Sequence, residues 1–526
     1  MADSTQESSN ALDSFDNVVV LMLENRSFDN LLGKLYIDGV PEGKSFEGLQ
    51  NYTNEMPVPP RAVDYNKHKT VPVQTAQDFH QPFPDPGEVY QHINTQLYNF
   101  VDQDNINIPE QDMVSPYNIP SPIPPDNEQM LGFVNDYINR LQALDNKKYP
   151  KFDKATFDLY KVIMQVYAPS QVSVLSTLAK EFAVFDHWFC SVPSQTWCNR
   201  AFWHAATSGG QVINPGEDKG IIGNIEGMKD WIENVWSKKT LFELMEDANV
   251  SHGIYTENPV SLTTVVNGPF KNENVIHTGD ELTEFKEHVE NGSLPQYTFI
   301  EPKFFGQHND QHPSSLSGLI DGPTKVGTVL LGENLIWDVY NTIFMNDNYK
   351  DNTLLIITHD EHGGCFDHVI PGPAVPPEPG MKGQKDFGFD RLGVRVPMVM
   401  VSAHIAQNTI INDVFDHTSF IRTMCKKWNM PHLTDRDKNA KSFEQVFSSS
   451  KRSFPVIKKH VIPEIEETTY DKDDLNDLQK SILLGASFLA KRNCEGSSKE
   501  VDINKAKQIS TVGDALTFLK EIKDLI

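Results

Sequence analysis

The stretch NVVVLMLENRSFDN, residues 17–30, decides the fold. Asn17 to Leu23 is a short run of β-branched and apolar residues without polar alternation, the pattern of a strand buried on both faces of a sheet. It passes directly into Glu24, Asn25 and Arg26. Open α/β sheets carry ligand sites just beyond the carboxyl ends of their strands, so these polar residues are site candidates. An ordinary Asx turn leading into a helix would use the same residue types.

Outward from this stretch, the strand-then-polar pattern returns twice, in QYTFIEP at 296–302 and NTLLIITHDEHGG at 352–364, the second preceded by a helix predicted from Gly332 to Asn346. RVPMVMVSA, 395–403, supplies another buried strand. HTSFIRTMCKKW, 417–428, reads as a helix capped by Thr418 or Ser419. Upstream, Val172, Leu175, Leu178, Ala179 and Phe182 fall on one helical face ahead of a strand at about Ala183 to Asp186. Alternating strands and helices imply an α/β fold around a mostly parallel sheet.

Two regions lie outside this alternation. From about 36 to 125 the chain is rich in Pro, Asn, Asp and Gln without sustained periodicity, an insertion of long loops and short helices suited to shaping a substrate entrance. After 447 a basic stretch, SKRSFPVIKKH, and an acidic one, EIEETTYDKDD, precede two amphipathic patterns, Leu475, Leu478, Ile482 and Leu489, then Val512, Leu516, Leu519 and Ile522. The division is therefore a catalytic domain at 1–447 and a C-terminal helical appendage at 448–526. Amphipathic helices usually face a core, so packing on the main domain is preferred to membrane docking.

A chain of 526 residues with 39% hydrophobic content has ample material for a core. Its formal charge of -26 excludes an extended electrostatic grip on nucleic acid and disfavours simple adhesion to an anionic membrane. An acidic protein still handles phosphate where a bound cation makes one pocket locally positive, which points to metal rather than to arginine clusters. Cys190, Cys198, Cys365, Cys425 and Cys494 are scattered without disulfide or zinc-ribbon spacing and read as reduced thiols. The start, MADSTQESSNALDSFDN, lacks the basic end and apolar run of a secretory signal peptide. No apolar window reaches a membrane span. The protein is expected to be soluble, either cytoplasmic or exported by another route.

Phosphoryl transfer needs a nucleophile, a counterweight for charge on the nonbridging oxygens and a way to neutralise the departing alkoxide. Matching residue types occur in separate segments: Glu24 and Asn25 after the first strand, Thr196 in PSQTWCNR, Asp310 and His312 in NDQHP, and Asp360 and Glu361 in HDEHGG. Each segment alone has a structural reading as a helix cap, a turn or a packed histidine. Their combination and order are specific.

With LAKEFAVFDHWFCSVPSQTWCNRAFWHAATSGG, FIEP, LLIITHDEHGGCFDHV, RLGVRVPMVMVS and DHTSF, these segments resemble the phosphoesterase family of bacterial and plant phosphatidylcholine-type phospholipases C and related acid phosphatases, within the alkaline phosphatase-like superfamily. The resemblance runs from about residue 16 to 425. It implies a three-layer sandwich and a divalent metal ion, zinc by resemblance, held by Glu24, Asn25, Thr196, Asp360 and Glu361. Thr196 matches the family's Ser or Thr nucleophile and Asn199 the Asn expected to hold a phosphate oxygen. His312 is expected near the leaving group, with Asp310 a less secure acidic partner. DPGEVYQH, residues 85–92, resembles a segment that often carries His after the Gly; here Glu88 stands there and His92 is the remaining candidate.

His362, His368 and His417 lie in matched motifs but read as hydrogen-bonding residues. The implied reaction is phospholipase C cleavage of a glycerophospholipid met transiently at a membrane surface, through a covalent phosphothreonine. An acid phosphatase acting on monoesters and a silent lipid- or phosphate-binding protein are the alternatives.

Overall fold

The structure, a computed structural model, describes all residues except 1–10, 110–111, 145–151, 153, 216–224, 270–274, 314–326, 463–469 and 495–500. The first ten residues of the signal-peptide reading and most of the acidic run at 464–474 thus lie outside the described residues. β1 (Asn17–Leu23), β2 (Ala183–Phe185), β3 (His252–Thr256), β4 (Ile276–Thr278), β5 (Tyr297–Glu301), β6 (Thr353–His359), β7 (Met398–Val401) and β8 (Thr409–Ile411) form one sheet in the order β8-β2-β7-β6-β1-β5-β3-β4. All its pairings are parallel except those of β7 with β6 and β2.

β1 and β6 are buried along their whole length, as their uninterrupted apolar runs require. Each fully buried Val, Leu or Ile contributes about 1.5–3 kcal/mol, which fixes these strands at the centre of the sheet. Helices cover both faces, completing the three-layer α/β arrangement; helices Ser173–Glu181 and Gly327–Phe344 pack together over β2, β6 and β7.

Local chemistry moves some boundaries. The helix ahead of β6 begins at Gly327, not Gly332, and ends at Phe344. The helix at His417–Lys427 is capped by Asp416, which accepts from the Thr418 N–H and completes a capping box with Ser419, so neither Thr418 nor Ser419 is the cap. Asp416 is the stronger choice because its carboxylate meets the positive end of the helix dipole.

The C-terminal helices Asp477–Asn493, Ile503–Gln508 and Val512–Ile522 share one buried apolar cluster with Trp197, Phe202 and Val265 of the main body. Among the described residues no helix is long and apolar enough to cross a membrane. A close approach is at Gly485, where an added Cβ would stand 2.2 Å from Val265 Cγ1 and 2.7 Å from Trp197 Cη2. Gly485→Val is therefore expected to cost about 1–3 kcal/mol of stability through overpacking. Chemical denaturation measures it, and an unchanged midpoint would contradict this contact.

Candidate active site

The parallel register pairs Leu23 with His359, so the residues that follow, Glu24 and Asp360, emerge side by side from adjacent strands. Backbone hydrogen bonds hold them there: Asp360 N donates to Leu23 O at 3.1 Å, and Glu24 N to Asp310 O at 2.8 Å. The three segments that follow β1, β5 and β6 are thereby joined. Asn25 then turns into the left-handed region at φ 53°, which Asn tolerates better than most residues, and its N–H donates to Asp360 Oδ1 at 3.1 Å. Gly363, at φ 60°, lets the HDEHGG turn lie against this bend, since a Cβ there would come within 2.4 Å of Asn25 O.

Thr196 opens the helix Thr196–Ala205 and is buried. Its hydroxyl donates to Glu24 Oε2 at 3.0 Å and lies 3.4 Å from Asn25 Oδ1. One turn on, Arg200 Nε donates to Glu24 Oε1 at 3.0 Å, its Nη2 to Met22 O at 3.2 Å, and it approaches Asp360 Oδ2 at 3.9 Å. The helix thus delivers a hydroxyl and a guanidinium to the same carboxylate.

On the opposite side, His312 Nδ1 faces Pro313 O at 2.8 Å and its Nε2 faces Asn25 Nδ2 at 3.1 Å. A carbonyl only accepts and an amide nitrogen only donates, so the proton sits on Nδ1 and Nε2 presents a lone pair. Asn25 Nδ2 also donates to Glu88 Oε2. Asp310 Oδ1 accepts from His308 Nδ1 at 2.8 Å and from the His312 N–H at 2.9 Å. Burial alone would lift the Asp310 carboxyl, but the charge of His308 and these hydrogen bonds outweigh it and hold it below its ordinary range.

Whether a cation suits this site follows from the oxygens it leaves unmatched. Among the described residues, Asp360 Oδ2, Glu361 Oε1 and Asp310 Oδ2 are buried and have no hydrogen-bond partner. Burial foremost holds the Glu24 carboxyl well above its ordinary range, with Asp360 adding to the effect and Arg200 opposing it. Burial and Asp360 do the same to Glu361. Uncompensated buried carboxylates cost several kcal/mol each, and one arginine does not balance this set. Carboxylates, an amide oxygen and a hydroxyl are the hard donors a divalent ion takes, so Glu24, Asn25, Thr196, Asp360 and Glu361 fit such an ion. Asp85, Glu88 and His312 form a tighter set, with ligand atoms within 4.8 Å of one another, but Glu88 Oε2 and His312 Nε2 already engage the Asn25 amide.

Two expected site residues take other places. Asn199 donates through Nδ2 to the carbonyls of Val192, Ser194 and Gln195 at 3.2, 2.8 and 3.3 Å and accepts from Val192 N at 3.1 Å. Its amide thus secures the loop before Thr196. His92 pairs with Asp136 at 2.6 Å and packs behind Gly87, where an added Cβ would be 2.2 Å from its ring.

Arg200, His308 and the Asn25-holding role of Glu88 were not singled out from the sequence. Arg200 had a signal, since it lies four residues after Thr196 and shares its helix face. Among the motif histidines, His417 Nε2 donates to Asp360 O at 2.6 Å while its Nδ1 accepts from Trp188 Nε1 at 3.2 Å. His362, lowered to about 3 by burial, bonds Gln96 Oε1 at 2.8 Å. His368 joins an ion network with Asp29, Asp367 and Arg395, where Arg395 holds Asp29 at 3.1 Å and Asp367 at 2.9 Å.

Residues 15–431 match the model of the phosphoesterase family. The chain is 31% identical to non-specific phospholipase C6 of Arabidopsis thaliana over 499 residues, covering 90% of this chain and 80% of that one. It is 29% identical to phospholipase C B of Mycobacterium tuberculosis over 304 residues, covering 51% of this chain and 53% of that one. Among solved structures, a protein in the alkaline phosphatase superfamily from Vibrio parahaemolyticus aligns over 62% of this chain and 82% of its own, at 14% identity and a TM-score of 0.30.

The raised Glu24 and Glu361 carboxyls set a pH test. A carboxyl that binds its proton more tightly when folded stabilises the fold while protonated and loses that contribution as pH rises through its folded pKa. Protein stripped by a chelator is thus expected to lose thermal stability as pH rises above the ordinary glutamate range. Added divalent ion is expected to restore it, more at higher pH. A Tm indifferent to both pH and cation would contradict the cluster.

Proposed function

Because this chain belongs to the phosphoesterase family, and is a phosphoric ester hydrolase, we propose that it is a phospholipase C releasing diacylglycerol and a phosphorylated head group from glycerophospholipids. The observation that carries the reading is the Thr196 hydroxyl, buried, 3.0 Å from Glu24 Oε2 and 3.4 Å from Asn25 Oδ1. A free threonine hydroxyl is a weak nucleophile and needs an adjacent base or an electrophilic partner. Glu24, Asn25, Thr196, Asp360 and Glu361 would hold a divalent ion, which would supply Lewis acidity towards the hydroxyl and the phosphoryl oxygens.

The chain's own residues account for the proton traffic. Glu24 Oε2 takes the hydroxyl proton as Thr196 Oγ1 attacks phosphorus, and the bond from phosphorus to the diacylglycerol oxygen breaks. His312, which takes up a proton on Nε2 as substrate opens its contact with the Asn25 amide, gives that proton to that oxygen and returns to the lone pair on Nε2. Water then attacks the phosphothreonine, His312 Nε2 takes its proton, and the phosphorylated head group departs with Thr196 restored by the proton on Glu24. Arg200 holds Glu24 in place throughout.

Thr196→Ala is expected to abolish turnover while the fold persists, and His312→Ala to lower kcat by about 10²–10⁴-fold. Mass spectrometry of products from mixed phospholipids checks the bond cleaved. Diacylglycerol supports the proposal, phosphatidic acid contradicts it, and turnover of phosphomonoesters alone would favour an acid phosphatase. Full activity in Thr196→Ala would overturn the nucleophile.

A further inference from the structure

The Asn25 side chain has two chemically opposite ends, and only one is useful towards Thr196. With Oδ1 inward it offers an acceptor and a hard donor atom; with Nδ2 inward it would offer two N–H groups beside a hydroxyl meant to lose its proton. The two orientations have nearly the same shape, so packing does not choose between them.

Glu88 does. Its carboxylate Oε2 accepts from Asn25 Nδ2, which turns the amide nitrogen away from Thr196. Resting on the functional reading above, we infer that Glu88 is a positioning residue that fixes the Asn25 amide with Oδ1 towards Thr196 and Nδ2 towards His312. The same contact sets the histidine. Held at 3.1 Å from His312 Nε2, the Nδ2 group keeps the imidazole proton on Nδ1, which faces Pro313 O. One carboxylate therefore orients two groups on opposite sides of the reacting centre.

The loop that carries Glu88 is built to hold it. Gln96 Nε2 donates to Gly87 O and to Asp136 Oδ2, both at 2.7 Å, and its Oε1 meets His362 Nε2 at 2.8 Å. His92, bonded to Asp136, fills the space that a side chain at position 87 would need. Both residues project from the buried face of helix Tyr90–Tyr98, which packs on helix Phe133–Ala143. A rigid support of this kind is what a positioning contact requires.

The test is a double-mutant cycle on the full chain, assayed with phosphatidylcholine in mixed micelles and by zinc affinity against a competing chelator. Glu88→Ala is expected to lower kcat and zinc affinity by about 10- to 100-fold with little change in KM, and the isosteric Glu88→Gln, whose Oε1 still accepts from Asn25 Nδ2 but whose amide no longer enforces the orientation, by less. The glutamine variant separates a lost function from a lost fold. In Asn25→Asp the amide no longer exists and two carboxylates oppose each other. Adding Glu88→Gln there supplies an N–H donor, so the double variant is expected to exceed Asn25→Asp alone in both readouts.

A merely structural Glu88 would give losses that add. Additive losses, or Glu88→Ala within twofold of the unaltered protein, would overturn the inference while an inactive Thr196→Ala left the functional reading standing. An active Thr196→Ala would overturn both.

Discussion

The site depends on the parallel pairing of β1 with β6. Because Leu23 lies opposite His359, Glu24 and Asp360 must leave the sheet together, and two buried carboxylates are forced into one small volume. Side chains on a strand alternate between faces, so a slip of one residue would send Glu24 and Asp360 to different environments and dissolve the cluster. The uninterrupted apolar runs of both strands enforce the register, since any shift would drag polar residues into the core.

Each later feature answers the charge that this pairing concentrates. Arg200 offsets part of it from the nucleophile helix. His417 holds the Asp360 carbonyl, and Asn25 and Glu361 N–H groups satisfy Asp360 Oδ1 at 3.1 and 2.8 Å. The oxygens left over are those a divalent ion would take. Buried charge of this kind is poor for stability, and its persistence is what a site built for electrostatic catalysis would show. Around it the neutral partners are spent on geometry: the Asn199 amide on the loop before Thr196, the Gln96 amide on the loop carrying Glu88.

The central strands were legible because full burial removes polar alternation, so NVVVLML and TLLIITH each mark a strand and its end without ambiguity. Glu24, Asn25, Asp360 and Glu361 followed as the residues just past those ends, and Thr196 through the order of the surrounding motifs. What sequence could not reveal is which atoms of a named residue are already engaged. Asn199 carries the same letter whether its amide faces phosphate or backbone, and only the fold of residues 192–195 decides it. His308 and Glu88 act through contacts made far away in sequence, and Glu88 stood out only as a departure from the residue expected after Gly87. The Asp416 cap was missed for a simpler reason: three capping residues stand close together in DHTS, and the backbone chooses the first.

The claim on which all else turns is that the carboxylates gathered by β1 and β6 hold a divalent ion beside the Thr196 hydroxyl. Anomalous diffraction from crystals of the metal-loaded protein, collected on both sides of the metal's absorption edge, addresses it most directly. A single strong peak enclosed by Glu24, Asn25, Thr196, Asp360 and Glu361 is expected. A peak at Asp85, Glu88 and His312 alone, or none within reach of Thr196, would contradict it.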